Sequence, residues 1–161
     1  MYAEKCKIYM NENSQPYLFS EKTNILVNEK TMYNEPLMLF QLATQTDLLK
    51  QAYESVYVFM FDTAGHFLKF SEMAHGGIKS TDIPVREICQ AALLSNASSV
   101  ALMHNHPSGN LEPSDTDIEG TEIMHAALSL IGIDLIDHII VSREGYRSLA
   151  RDGYIPADIC A

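Results

Sequence analysis

The sequence predicts an α/β fold in which helices cover both faces of a mixed β-sheet. Two observations support this class. Short segments such as residues 55–62 and 135–141 are almost wholly apolar, as strands buried on both faces are. Segments with helical periodicity separate them, so residues 34–149 follow the order α-β-β-α-β-α-β-β. A chain of 161 residues with 47% hydrophobic residues can also bury a core of its own.

Residues 1–33 are predicted to form a β-like N-terminal extension, and residues 34–161 the main domain. Within the extension, residues 5–10 are predicted to form a strand and residues 11–15 a turn. Residues 17–27 mix apolar and polar side chains without a clean period, which indicates an irregular extended segment. Two roles stay open for this extension: it can recruit a partner, or it can cover an edge of the sheet.

The main domain is predicted to begin with a helix and a hairpin. Asn34 can cap the helix, with Pro36 in its first turn. A second helical turn is predicted over residues 46–52. The apolar segment 55–62 then forms a strand, and residues 67–75 return beside it after a short turn.

Two more helices alternate with strands in the second half of the chain. The first is predicted over residues 85–94, with strand 99–103 after it, and the second begins at Ser114. Strands over residues 135–141 and 146–149 follow. The apolar stripe of the first helix consists of Val85, Ile88, Cys89, Ala92 and Leu93. The predicted buried face of the second helix consists of Gly120, Ile123, Ala127, Leu130 and Ile131.

Charge and cysteine content narrow the possible functions. The 11 basic and 21 acidic side chains give a formal net charge of −10, which repels nucleic-acid phosphates and disfavours a DNA-coating role. Cys6, Cys89 and Cys160 are widely spaced, which favours reduced thiols in a cytoplasmic protein. The first ten residues carry charges instead of an apolar signal core, and no apolar run is long enough to span a bilayer. We therefore expect no membrane segment.

The most informative stretch is the polar segment HNHPSGNLEPSDTD, residues 104–117. His104 and His106 lie two apart at the end of a predicted strand, so both imidazoles can reach one point. Asp117 lies in the first turn of the next helix, and its side chain leans back toward the histidines. Two imidazoles and one carboxylate leave a fourth zinc position open, as in catalytic zinc sites. Such a site also needs a base, and Glu72 in FSEMAHGG offers one.

Spacing alone leaves other interpretations of these residues open. Isolated HxH pairs are common among surface histidines, and Ser114 with Asp117 also fits a helix capping box. The alternative for Glu72 is an exposed strand glutamate. The letters HNH also suggest an HNH nuclease, but this acidic chain lacks the basic ββα-metal context of those enzymes.

The complete pattern resembles the signature of the JAMM/MPN metallopeptidases: H-x-H, seven residues, then S-x-x-D, here His104, His106, Ser114 and Asp117. The longer string HNHPSGNLEPSDTDI resembles the bacterial RadC family. VREICQAALLSNASSVAL before it, FSEMAHGG, and GIDLIDHIIVSREGYRSLARDGYI after it resemble other parts of the same family. The likeness covers roughly residues 34–155.

This resemblance implies a cytidine-deaminase-like JAMM/MPN fold and zinc-dependent hydrolysis of a peptide or isopeptide bond in a protein substrate. His104, His106 and Asp117 are then the expected zinc ligands. Ser114 is the expected hydrogen-bond donor near the reacting oxygen, and Glu72 the expected general base.

Two other functional classes stay open beside the hydrolase. One is a non-catalytic binding module of the same fold, and the other is a DNA-repair accessory, which only the family's name suggests. Residues 1–33 do not resemble the helix-hairpin-helix region of full-length RadC proteins, and this weakens the case for DNA. Nothing in the sequence indicates the oligomeric state or the identity of the substrate.

Four further residues can support the site. His138 is expected to be a hydrogen-bonded core histidine, with a contact behind a metal ligand as the alternative. His75 is expected to be an ordinary loop histidine, with a place in the site as the alternative. Asn105 and Ser108 neighbour the histidine ligands, and they can shape the loop or contact substrate.

Overall fold

The computed structural model of the chain describes residues 1–76 and 83–156. The strands in these ranges are β1 (Tyr2–Met10), β2 (Pro16–Leu26), β3 (Ser55–Phe61), β4 (Phe67–His75), β5 (Ser99–Asn105), β6 (Asp134–Ser142) and β7 (Gly145–Ser148). The helices are α1 (Pro36–Thr44), α2 (Val85–Leu94) and α3 (Asp115–Leu130), with a 3₁₀ turn at Leu48–Lys50. Cys160 lies outside the described residues. No helix in the described ranges is long and apolar enough to cross a bilayer.

The strands form one mixed sheet in the order β2-β1-β4-β3-β5-β6-β7, with helices on both faces. β3 is antiparallel to β4 and to β5, whereas β5 and β6 are parallel. Side chains of β3 alternate between two cores. Tyr57, Phe59 and Phe61 pack on the α1 side, and Val58 and Met60 pack on the side of α2 and α3. The predicted fold class is therefore confirmed.

The N-terminal residues are part of this sheet. β1 pairs antiparallel with β2 and parallel with β4, and Cys6 is fully buried in the core on the α2 and α3 side. Residues 17–27 lack a clean sequence period, yet nearly all of them belong to the regular strand Pro16–Leu26. Many side chains of β2 are exposed, so its sequence has no regular alternation of apolar and polar residues. Hydrogen bonding to β1 holds the segment in a regular strand instead. The division of the chain at residue 33 stays a prediction.

The starts of the first helical segments differ from the sequence prediction. Glu35, not Asn34, occupies the position before α1, and its side chain makes no capping hydrogen bond. Pro36 fixes the start instead, because it is favoured in the first helical turn. Only Leu48–Lys50 of the predicted second helical turn is helical, as a single 3₁₀ turn.

The predicted buried face of α3 is wrong by one residue. Thr121, Met124 and Leu128 are buried, whereas Ile123 is 51% exposed and Leu130 is 87% exposed. A shift of one position turns a helix by about 100°. The buried face includes a threonine whose hydroxyl lies 2.6 Å from a ring nitrogen of His138. The face of α3 that is buried thus includes a polar contact between Thr121 and His138, which the pattern of apolar residues in the sequence does not predict.

Candidate metal centre

The three predicted metal ligands meet at the end of β5. His104 Nε2 lies 3.3 Å from Asp117 Oδ1, and His106 Nε2 lies 3.6 Å from Asp117 Oδ2. The two histidine Nε2 atoms are 2.9 Å apart. We call these three residues the ligand group, since their candidate ligand atoms all lie within 4.8 Å of one another. Both histidines are buried and Asp117 is half-buried.

Strand pairing places the two histidines side by side. His104 belongs to β5, and the His106 amide donates to the Val141 carbonyl at 2.9 Å, which extends the pairing with β6 by one residue. The two imidazoles therefore leave the chain on the same side.

The start of α3 places the carboxylate. The Ser114 amide donates to Asp117 Oδ2 at 2.7 Å, while the Asp117 amide donates to Ser114 Oγ at 3.2 Å. This reciprocal pair is a capping box. The capping interpretation and the ligand interpretation of Ser114 and Asp117 are thus compatible, because the capped carboxylate still faces both histidines.

A carbonyl behind His106 determines which of its nitrogens can bind a metal. His106 Nδ1 lies 2.6 Å from the Asn110 carbonyl oxygen. A carbonyl only accepts hydrogen bonds, so Nδ1 carries the proton and the Nε2 lone pair faces the ligand group. Imidazole nitrogens and a carboxylate oxygen in this number are the donors of catalytic zinc sites, so these residues fit zinc.

The charges of the ligand group shift its pKa values in opposite directions. Burial alone would raise the pKa of Asp117, but the imidazoles of His104 and His106, which donate to the carboxylate only when they are protonated, and the Ser114 amide hold this pKa far below its usual range. Burial lowers the pKa of His106, and the hydrogen bond and charge of Asp117 outweigh that effect, so the pKa is raised. His138 is fully buried, and this desolvation lowers its pKa well below the usual value. At neutral pH, Asp117 is thus a carboxylate and His138 is neutral.

The structure does not bring Glu72 to the ligand group. Val56 pairs with His104, whereas the next residue, Tyr57, pairs with Glu72. Directly paired side chains share a face and successive ones alternate, so His104 and Glu72 point to opposite faces of the sheet. The register between two strands determines the face to which each side chain points, and a single sequence does not reveal this register.

On the other face of the sheet, Glu72 belongs to a cluster of polar side chains that contact one another. Glu72 Oε2 accepts from Lys5 Nζ at 3.1 Å and lies 3.4 Å from the Tyr57 hydroxyl, which donates to Asp47 Oδ1 at 2.7 Å. Lys5 Nζ also lies 3.8 Å from Asp47 Oδ1. We call Lys5, Asp47, Tyr57 and Glu72 the Glu72 group. His75 contacts this group, with Nδ1 3.7 Å from Glu72 Oε1.

Glu54 is the carboxylate that sequence reasoning missed. It lies two residues before Val56, and it lines a cavity of about 310 Å³ together with His106, Ser108 and Ser114. Its negative charge is one of the influences that raise the pKa of His106. The sequence feature that could have identified Glu54 is its position directly before the apolar strand β3, which pairs with β5.

The two residues that neighbour the histidine ligands differ in role. The Asn105 side chain is buried; it accepts from the Ser55 amide at 2.8 Å and donates to the Tyr53 carbonyl at 3.0 Å. Asn105 therefore fastens the end of β5 to the segment before β3. Ser108 is exposed and lines two cavities that also share His106, one of about 310 Å³ and one of about 450 Å³.

Comparison with known proteins identifies the family of this chain. A family model described as the RadC-like JAB domain matches residues 33–154. The chain belongs to this family. A UPF0758 protein of Variovorax paradoxus is similar, with 34% identity over 129 residues, which are 80% of this chain and 57% of that protein. UPF0758 proteins of Clostridium acetobutylicum and Herminiimonas arsenicoxydans are 36% and 39% identical over 63% and 65% of this chain, and 44% and 47% of their own lengths. This RadC-like JAB domain thus spans about half the length of the curated relatives that it matches.

Proposed function

We propose that this RadC-like JAB domain is a zinc-dependent hydrolase that cleaves a peptide or isopeptide bond. The observation that supports the proposal is the convergence of His104, His106 and Asp117, since three protein ligands leave one zinc position for a reactant. One of the three, His106, also lines a cavity. Zinc bound there would supply a Lewis acid that polarises a carbonyl and lowers the pKa of a water molecule toward about 7.

Ser114 is the proposed hydrogen-bond donor to the substrate carbonyl oxygen. Its hydroxyl lies 2.7 Å from Asp117 Oδ2 and 2.8 Å from Thr116 Oγ1, and its residue lines the cavity beside His106. A hydroxyl rotates freely about its Cβ–Oγ bond, so Ser114 can turn its proton from the carboxylate to a carbonyl oxygen that gains negative charge.

Glu54 is the proposed general base. It lines the cavity beside His106, so it can accept the proton of an attacking water and return it to the leaving amine. Glu72, the base that the sequence suggests, points to the other face of the sheet and contacts Lys5 instead. The Glu72 assignment stays a prediction, and comparison of the two glutamates tests it.

Two cavities lined by His106 offer room for a substrate strand. The cavity of about 310 Å³ is bounded by Glu54 and Ser114, and that of about 450 Å³ by Lys50 and Arg143. A peptide that crosses the ligand group can place residues in both cavities, which is what cleavage within a chain requires.

A cytoplasmic location forms part of this proposal. Cys6 and Cys89 are free thiols, and burial raises the pKa of Cys6 to about 11. Buried thiols of this kind are unreactive and are common in proteins that stay reduced.

The test is metal stoichiometry combined with turnover. The full chain, stripped with a chelator and dialysed against zinc, should retain about one zinc per chain. The zinc-loaded protein should then cleave members of a pool of internally quenched peptides and isopeptides. Failure to take up zinc would contradict the proposal and favour a non-catalytic binding module. Zinc uptake without cleavage of any pool member would favour a binding role for the metal centre.

A DNA-repair accessory would be revealed by a different measurement. The net charge of −10 opposes binding to phosphates at long range. A gel-shift titration of duplex and single-stranded DNA against salt should therefore show no shift that persists at moderate salt. A persistent shift would support a DNA-linked role beside, or instead of, hydrolysis.

A further inference from the structure

A buried chain of three hydrogen bonds runs behind His104. His104 Nδ1 lies 2.7 Å from His138 Nε2, and His138 Nδ1 lies 2.6 Å from Thr121 Oγ1. Thr121 Oγ1 in turn lies 2.5 Å from the main-chain carbonyl oxygen of Asp117. His104, His138 and Thr121 are all buried, and the last two are fully buried. This series of hydrogen bonds therefore starts at one ligand, His104, and ends at the backbone of another, Asp117.

We infer that Thr121 and His138 are positioning residues, which hold His104 in the tautomer whose Nε2 lone pair faces His106 and Asp117. This inference rests on the proposed metal site. It concerns how the site is prepared for the metal and not the reaction that follows.

The argument begins at Thr121, which has one hydroxyl proton. The Asp117 carbonyl can only accept, so the short contact between the two oxygens requires that Thr121 donates to it. The Thr121 oxygen then has only lone pairs left for His138. It follows that His138 Nδ1 carries a proton and donates it to Thr121.

The direction of the hydrogen bond between His138 and Thr121 determines the direction of the one between His104 and His138. A neutral imidazole has a proton on one nitrogen only, so His138 Nε2 is an acceptor. His104 Nδ1 must then be the donor in the 2.7 Å contact with His138. His104 Nε2 is left without a proton, with its lone pair directed at the ligand group.

The two histidine ligands are thus prepared in the same way by different acceptors. His106 donates from Nδ1 to a loop carbonyl, whereas His104 donates from Nδ1 to an imidazole whose own tautomer needs Thr121. Thr121 and Asp117 belong to neighbouring turns of α3. One helix therefore supplies a ligand and, four residues later, the hydroxyl that sets the protonation of another ligand.

The direct test reads ring protons in the metal-free protein. Long-range ¹H–¹⁵N NMR of the ¹⁵N-histidine-labelled full chain, kept metal-free with a chelator at about pH 8, distinguishes Nδ1–H from Nε2–H tautomers. We expect His104 with a protonated Nδ1 and an unprotonated Nε2. A proton on His104 Nε2 would overturn the inference. This readout needs neither bound zinc nor turnover, so it is independent of whether the proposed hydrolase activity exists.

The second test measures zinc affinity by competition with a chromophoric chelator. Thr121→Val removes the hydroxyl but keeps the shape, and we expect it to weaken zinc binding about tenfold, as loss of a partner behind a ligand does. Thr121→Ser restores the hydroxyl and should restore affinity. Thr46→Val is the matched control, because Thr46 is also buried and its hydroxyl donates to the Ala43 carbonyl at 2.7 Å, away from the histidines.

The variant comparison separates positioning from general destabilisation. Thr46→Val should lose stability but bind zinc as the unmodified chain does. If Thr121→Val also binds zinc with unchanged affinity, or if Thr121→Ser fails to rescue it, Thr121 has only a structural role and the inference is wrong. Should Thr121→Val fail to fold, the comparison of Thr121→Ser with the unmodified chain and the NMR tautomer still decide the question.

Discussion

Two polar clusters lie on opposite faces of the sheet at the same end, and they differ in how the negative charge of their carboxylates is balanced. The Glu72 group contains its own cation, since Lys5 Nζ lies 3.1 Å from Glu72 and 3.8 Å from Asp47. The ligand group instead directs two imidazole nitrogens and a carboxylate at one another. A cluster whose members all present lone pairs needs a cation from outside, whereas a cluster with a lysine does not.

Removal of a carboxylate should separate the two clusters most clearly. Asp117→Ala takes away one of three ligands and should reduce zinc from about one per chain to near zero at micromolar zinc. Glu72→Ala is the control on the other face and should keep the full zinc content. Elemental analysis of both purified proteins measures the effect. Equal zinc contents in the two variants would remove Asp117 from the ligand set.

The two candidate bases give the next largest effect. Glu54→Gln keeps the size of the side chain but cannot accept a proton, so we expect hydrolysis to slow by about 10²–10⁴-fold with zinc content unchanged. Glu72→Gln should turn over substrate at nearly the original rate, because its side chain faces away from the ligand group. Steady-state rates with one quenched peptide decide between them. The opposite ranking would return the base to Glu72.

Acidification should act on the ligand group before it affects the sheet. In the metal-free protein the pKa of His106 is raised, so protons compete with zinc from above the ordinary histidine value of about 6.5 downward. The pKa of Asp117 is lowered, so this ligand stays ionised throughout. We expect zinc affinity to fall as the pH decreases from about 8 to 5, measured by chelator competition. A flat profile would contradict a two-histidine site.

The smallest effect is expected from the cation of the Glu72 group. Lys5→Met keeps much of the apolar stem and removes the ammonium, which also lies 5.2 Å from the centre of the Tyr57 ring. We expect the free energy of unfolding to fall by about 1 kcal/mol, as for a partly exposed ion pair with a cation–π contact. Urea unfolding measures it. Zinc affinity should not change, and a loss of zinc would show that the two clusters are coupled through the sheet.

Local spacing explains why the ligand group could be predicted from the sequence. His104 and His106 lie two apart at the end of β5, and Asp117 is in the first turn of the next helix, so short-range geometry brings them together. The apolar segments that become β3 and β6 are equally plain, because strands buried on both faces have few polar residues.

Faces and register explain what could not be predicted. Glu54 and Glu72 are both glutamates near the hairpin formed by β3 and β4. The pairing of Tyr57 with Glu72, which the sequence does not reveal, determines the face of the sheet on which the Glu72 side chain lies. The buried face of α3 depends on the contact between Thr121 and His138, which are 17 residues apart in the chain. Long-range polar contacts of this kind leave no periodic signal in a sequence.

The loop over residues 107–113 contributes no ligand side chain to the metal centre, although it forms walls of both cavities beside His106. Its direct support to a ligand is the Asn110 main-chain carbonyl, which a residue of any type can provide. In the proposed hydrolase, side chains of this loop other than Gly109, whose φ is +86°, are therefore positions where substitutions would change which peptides enter while the proposed metal ligands stay intact. Selectivity and metal chemistry would then be separately adjustable.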